Sequence, residues 1–169
     1  MSCMTVYKLT PGAGYEELEE MRNGNGSAPV VWSAMTARYL TPGSPNSWLF
    51  SRTDDLWKLW RREDIPQALR AVLGMTYDNT YVERAHYARA AADIRAFLAE
   101  FPADAQFVNH WPRIAEIFES APDCDGIGFN WTSVNENPFQ GPWDEDLEEY
   151  GPTDWSKKWS FYLEFDRAG

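Results

Sequence analysis

The hydrophobic and polar positions divide the chain into a strand-bearing start, a helical middle and a strand-bearing end. Residues 5–9 form a short β-type run, closed by the turn formers Pro11, Gly12, Ala13 and Gly14. Residues 15–22 combine carboxylates with helix-forming Leu18 and Met21 and read as an acidic helical turn or two, broken by Asn23, Gly24, Asn25, Gly26 and Ser27. A second β-rich run opens at Val30, Val31 and Trp32, extends toward Tyr39 and Leu40, and ends in a turn at residues 41–46. Residues 48–50 suit a third short strand.

In the middle the period changes to that of a helix. Thr53 with Asp54 and Asp55 suits a helix N-terminus, ahead of a buried stripe of Leu56, Leu59 and Trp60. Asp64 is placed to cap the next segment, which carries Pro66 in its first turn, buries Ile65, Leu69 and Val72, and stops at Gly74. Thr80, Tyr81, Val82 and Glu83 match a capping box that would open the longest helix, with Tyr87, Ala91, Ile94, Leu98 and Phe101 on one face and Pro102 ending it. Asn109 is placed to cap a further helix in which Trp111, Ile114, Ala115 and Phe118 align before Pro122.

Period-two alternation then returns in residues 127–134, where Ile127, Phe129 and Trp131 share one face, and in residues 159–165, where Trp159, Phe161, Leu163 and Phe165 do. Both read as half-buried strands. The expectation is an α+β fold, a mainly antiparallel sheet from N- and C-terminal strands with a central helical block packed on one face. At 169 residues, one globular domain spanning 1–169 is expected.

Charge alters this picture. Fifteen basic against 26 acidic residues give a net charge of −11, which opposes the phosphate neutralisation that nucleic acid or anionic lipid requires. Residues 123–154 alone hold Asp123, Asp125, Glu136, Asp144, Glu145, Asp146, Glu148, Glu149 and Asp154 without one Lys or Arg. No apolar run is long enough to span a bilayer, and the N-terminal residues lack a basic-then-apolar export pattern. A cytoplasmic protein with no membrane partner is expected, its two cysteines, Cys3 and Cys124, remaining thiols.

Candidate chemistry is sparse. Of two histidines, His86 shares a helical surface with Glu83 and Arg89 but has no second ligand at i+4, and His110 stands at a helix start. A Cys124–His110 nucleophile pair is disfavoured by Asp123 and Asp125, which stabilise the protonated thiol. A calcium loop opening at Asp123 would need a closing Glu where Val134 stands. Gly12 and Gly14 sit where a dinucleotide fingerprint would, but Glu17 occupies the third glycine position and Glu16 would repel a phosphate. No catalytic residue, metal ligand set or cofactor is therefore assigned.

One segment needs its own explanation. Residues 135–158 would form a loop longer than the roughly 12–15 residues usual inside a domain, yet they carry Phe139, Trp143, Tyr150 and Trp155. One or two helical turns after Pro142 would align Trp143, Leu147 and Tyr150 amid Asp144, Glu145, Asp146, Glu148 and Glu149. Rings encircled by one sign of charge suit a basic partner. The expected partner-binding set is Trp143, Asp144, Glu145, Asp146, Glu148, Glu149, Tyr150, Asp154 and Trp155. The expectation is an intracellular inhibitory protein that neutralises a basic protein, such as a toxin or nuclease domain. Immunity proteins of bacterial toxin systems and phage-encoded inhibitors offer an analogy of composition and size only. Two alternatives stand beside it. One is a hydrolase or carbohydrate-binding protein using tryptophan platforms and paired carboxylates, which the nine Trp keep open. The other is a structural or assembly component.

Overall fold

The computed structural model describes residues 3–42, 53–104, 106–132 and 136–168. The expected strand at residues 48–50, and positions 43–46 of the turn before it, lie outside the described residues. Strand β1 (Cys3–Thr10) turns through Pro11–Ala13 into β2 (Gly14–Arg22). Gly12 and Gly14 take φ of +89° and +100°, conformations that L side chains resist, so these glycines set the hairpin. The four-stranded sheet has the order β2–β1–β4–β3, with every pair antiparallel; β3 is Tyr81–Glu83 and β4 is Gly126–Asn130.

Residues 15–22 are thus a strand, where the sequence suggests helical turns. Local preference for a helix is outweighed by the pairing that the glycine turn imposes, with a bulge between Val6 and Tyr7. The reverse holds for α1 (Ala28–Tyr39), expected as a β-rich run. Ala28, Val31 and Met35 recur at helical spacing and are fully buried, and Pro29 sits in the first turn, where its missing N–H costs nothing.

Helices α2 (Thr53–Lys58) and α3 (Gln67–Met75) follow the expected segments, burying Leu56, Ile65, Leu69 and Val72. Asp64 pairs with Arg62 rather than capping α3, which Pro66 precedes. The capping-box reading of residues 80–83 fails: Tyr81–Glu83 pair with β4 as β3, and α4 (Tyr87–Glu100) begins after a 3₁₀ turn at Arg84–His86. Phe97, not Leu98, is the fully buried residue near its end. Helix α5 (Trp111–Glu119) is preceded by Asn109, whose Oδ1 accepts the Trp111 amide at 2.9 Å.

Met4, Val6, Val82, Ile127 and Phe129 face the helices in one continuous core. At its centre Trp111, Trp131 and Phe129 stack, with Trp131 5.4 Å from Trp111 and 4.7 Å from Phe129, both at 25°. β4 is buried on both faces, not half-buried, because the chain beyond residue 136 covers the side of the sheet away from the helices.

The last expected strand is also corrected. Trp159 makes one parallel bridge to Thr80, after which Phe161–Ala168 forms helix α6, burying Phe161, Tyr162 and Phe165 while Leu163 points outward. The alternation is coincidental; the i, i+1, i+4 spacing is what packs. Tyr162 donates to Asp93 Oδ2 at 2.8 Å, His86 stacks on its ring at 5.1 Å, and Arg89 lies over it. Asp166 receives Arg89 Nη1 at 2.6 Å and faces His86 Nε2 at 2.9 Å, while Glu83 Oε2 lies 3.2 Å from His86 Nδ1. His86 is thus part of the latch that holds α6.

His86 and Arg89 hold the Asp166 carboxyl below its usual 3.8. A carboxyl lowered by folding stabilises the native state above its ordinary value, and that contribution is lost as pH falls through the lowered one. Asp166→Asn should therefore flatten the dependence of unfolding free energy on pH below about 4, as measured by urea denaturation across pH.

Candidate functional site

The segment after residue 136 is fastened to the sheet before it leaves it. Phe139 is fully buried on the outer face against Tyr7 and Leu9, 5.9 Å from the Tyr7 ring. Asn137 Oδ1 accepts the Phe139 amide at 2.9 Å, and Thr153 Oγ1 donates to the Phe139 carbonyl. Space for this ring depends on Gly128: a Cβ there would overlap Phe139 and sit 2.9 Å from Leu9 Cδ1. Trp155, half-buried, packs edge-on against Tyr81 at 5.8 Å. Asp154 caps the 3₁₀ turn Trp155–Lys157, accepting from Ser156 N and lying 3.1 Å from Lys157 Nζ. Ser156 and Lys157 together hold its carboxyl below the usual range.

Between these anchors the chain projects as a β-hairpin, not the helical turns expected. β5 (Trp143–Asp144) pairs with β6 (Glu149–Tyr150), and Gly151 N donates to Pro142 O at 2.8 Å across the base. Gly141 is required there, because a Cβ would run into the carbonyl oxygens of Gly151 and Pro152. Asp144 Oδ1 accepts from Asp146 N at 2.9 Å and Leu147 N at 3.1 Å, shaping the turn. Glu148 closes it at φ +52°, a left-handed conformation that a non-glycine residue adopts at a cost.

The hairpin brings Trp143 and Tyr150 together by cross-strand pairing instead of helical spacing. Their rings meet edge to face at 5.0 Å, yet Trp143 remains 51% and Tyr150 55% exposed; Leu147 at the tip is 66% exposed. Asp144, Glu145, Asp146, Glu148 and Glu149 are all exposed, and none of them forms an ion pair among the described residues. Asp144 lies directly opposite Glu149, a like-charge pairing that opposes hairpin formation.

The chain matches no known family, curated protein or solved structure. Of the nine residues singled out from the sequence, seven form the exposed hairpin, while Asp154 and Trp155 secure its base. Leu147 joins the exposed set; its place in the Trp143, Leu147, Tyr150 stripe was the available signal. Phe139, Gly128 and Gly141, which position the hairpin, carry no local signature of that role.

The other candidates have structural partners. His110 Nε2 donates to Arg22 O at 2.8 Å, joining α5 to the end of β2. Cys124 is a buried thiol whose Sγ lies 3.2 Å from the Tyr87 hydroxyl, and no disulfide joins it to Cys3. Asp123 pairs with Arg84 at 2.7 Å. Among the described residues no cluster of His, Cys, Asp and Glu is arranged to hold a metal, and no helix is long and apolar enough to cross a membrane.

Proposed function

We propose that this chain is a protein-binding protein that neutralises a basic partner by occluding its surface with the 143–150 hairpin. The supporting observation is the exposed Trp143, Leu147 and Tyr150 set among five carboxylates that form no ion pair among the described residues. Exposed rings supply the area that becomes buried on contact, and one-signed charge steers encounter and selects for Lys- and Arg-rich surfaces. The charge also explains why a strained, self-repelling hairpin would be kept: its carboxylates repel one another in the free protein, and a cationic surface relieves that repulsion. Inhibition of a toxin or nuclease domain, as by immunity proteins or phage-encoded inhibitors, is the form this activity takes in our reading.

The test uses the full chain as an affinity ligand for basic proteins of its source cell, followed by stopped-flow association with the protein retained. Asp144→Asn, Glu145→Gln, Glu148→Gln and Glu149→Gln together should slow association about tenfold or more at low salt and flatten its ionic-strength dependence. Trp143→Ala should act instead on dissociation, costing about 2 kcal/mol. An association rate unmoved by the four neutralisations would remove the hairpin from the mechanism.

A further inference from the structure

Away from the hairpin, two cavities adjoin at Asp78. The first, about 400 Å³, is walled by Trp32, Trp57, Tyr77 and the edge of Trp131. The second, about 570 Å³, is lined by polar side chains, among them Asn79, Asn130, Glu136 and Gln140. They draw on segments remote in sequence: the start of α1, the end of α2, the turn after α3, and the chain following β4.

The aromatic wall is fixed in place. Trp32 Nε1 donates to Thr76 Oγ1 at 2.9 Å, Trp131 Nε1 to Met75 O at 3.0 Å, and the Tyr77 hydroxyl to Trp57 O at 2.8 Å. Trp57 packs against Trp32 at 5.7 Å and 88°, and against Tyr77 at 4.3 Å and 51°. With those polar ends satisfied inside the protein, the wall offers the cavity chiefly its apolar ring surface. The second chamber is opposite in character. The side chains of Asp78, Glu136 and Gln140 make no hydrogen bond or ion pair among the described residues, so their polar atoms are available. Among the described residues no Lys, Arg or His lines either cavity. The nearby Lys158 ammonium is engaged by Asn79 Oδ1 at 3.3 Å and by the Pro138 carbonyl.

We propose that this double cavity binds a neutral oligosaccharide, its C–H faces against the Trp32–Trp57–Tyr77 wall and its hydroxyls on Asp78, Glu136 and Gln140. A ring-shaped polyol is the ligand class that has both an apolar face and a dense edge of donors and acceptors, and the two chambers separate those demands in the same way. Anionic ligands are opposed by the carboxylates of Asp78 and Glu136. A small organic cation would also be attracted by rings and a carboxylate, but the cavity continues into an amide-lined chamber that an ammonium group would leave empty. Burial against the protein raises the Asp78 carboxyl above its usual range, consistent with a group lacking a donor that a ligand hydroxyl would supply. No residue of the 143–150 hairpin lines either cavity, so this site stands or falls independently of the protein-binding reading.

The experiment is titration of the intact chain with neutral tetrasaccharides of β-1,4-glucose, α-1,4-glucose, β-1,4-N-acetylglucosamine, β-1,4-xylose and β-1,4-mannose, read by tryptophan fluorescence and calorimetry. At least one should bind saturably. Trp57→Ala and, separately, the surface variant Gln140→Ala should each weaken it about tenfold or more, with circular dichroism unchanged for Gln140→Ala. Failure of all five sugars to bind, or binding indifferent to both substitutions, would overturn the proposal. Saturable binding of tetramethylammonium in place of the sugars would overturn it in favour of a cation site.

Discussion

Phe139→Ala is expected to cost about 3–5 kcal/mol and to free the acidic hairpin from the sheet, because it removes the fully buried ring that packs on Tyr7 and Leu9 over the outer face. Tyr7 and Leu9 would then face water where they now face Phe139, and the residues from 136 to 158 would lose their main apolar attachment. Gly128→Val should produce the same release from the opposite side, since its side chain would occupy the volume of the Phe139 ring. The two are coupled through that volume. In the Phe139→Ala background Gly128→Val should therefore cost much less than it does alone, a coupling of at least about 1 kcal/mol in a double-mutant cycle followed by urea denaturation. Limited proteolysis should show cleavage between residues 136 and 158 while the sheet stays intact. Independent, additive costs would mean that the ring and the glycine do not share one site.

How much of this was legible in the sequence follows from how local each cause is. Residues 5–9, the helix that buries Leu69 and Val72, and the helix that buries Trp111, Ile114 and Phe118 each state their own period, and they form as expected. Residues 15–22 and 28–39 do not, because propensity points one way and the partner the other: a strand of Glu, Leu and Met is stabilised by β1, and a helix containing Val30, Val31 and Trp32 by the core under it. Phe161 and Phe165 satisfy the strand period and the helix period alike, and burial of Tyr162 between them decides for the helix. The hairpin residues stood out because charge and rings are visible one residue at a time. The double cavity was hidden for the opposite reason, since Trp32, Trp57, Tyr77 and Asp78 become neighbours only when α1, α2 and the turn after α3 converge.

Trp131 joins the core to that cavity, and its replacement should separate the two roles. The side chain is 4% exposed, stacked between Trp111 and Phe129, with its indole N–H on Met75 O and its edge in the cavity wall. Trp131→Ala should cost about 3–5 kcal/mol, because the neighbouring rings are themselves fixed and can close little of the void. Trp131→Phe keeps a stacked ring and loses the indole N–H. Met75 O also accepts from Thr80 Oγ1 at 3.2 Å, so it is not left without a donor, and the cost should be nearer 1 kcal/mol. Thermal and urea unfolding would give that order for stability. Sugar titration of the Phe variant, which remains folded, would then report the cavity wall alone: binding that falls while stability holds would show that the edge of the core also forms the floor of the ligand site.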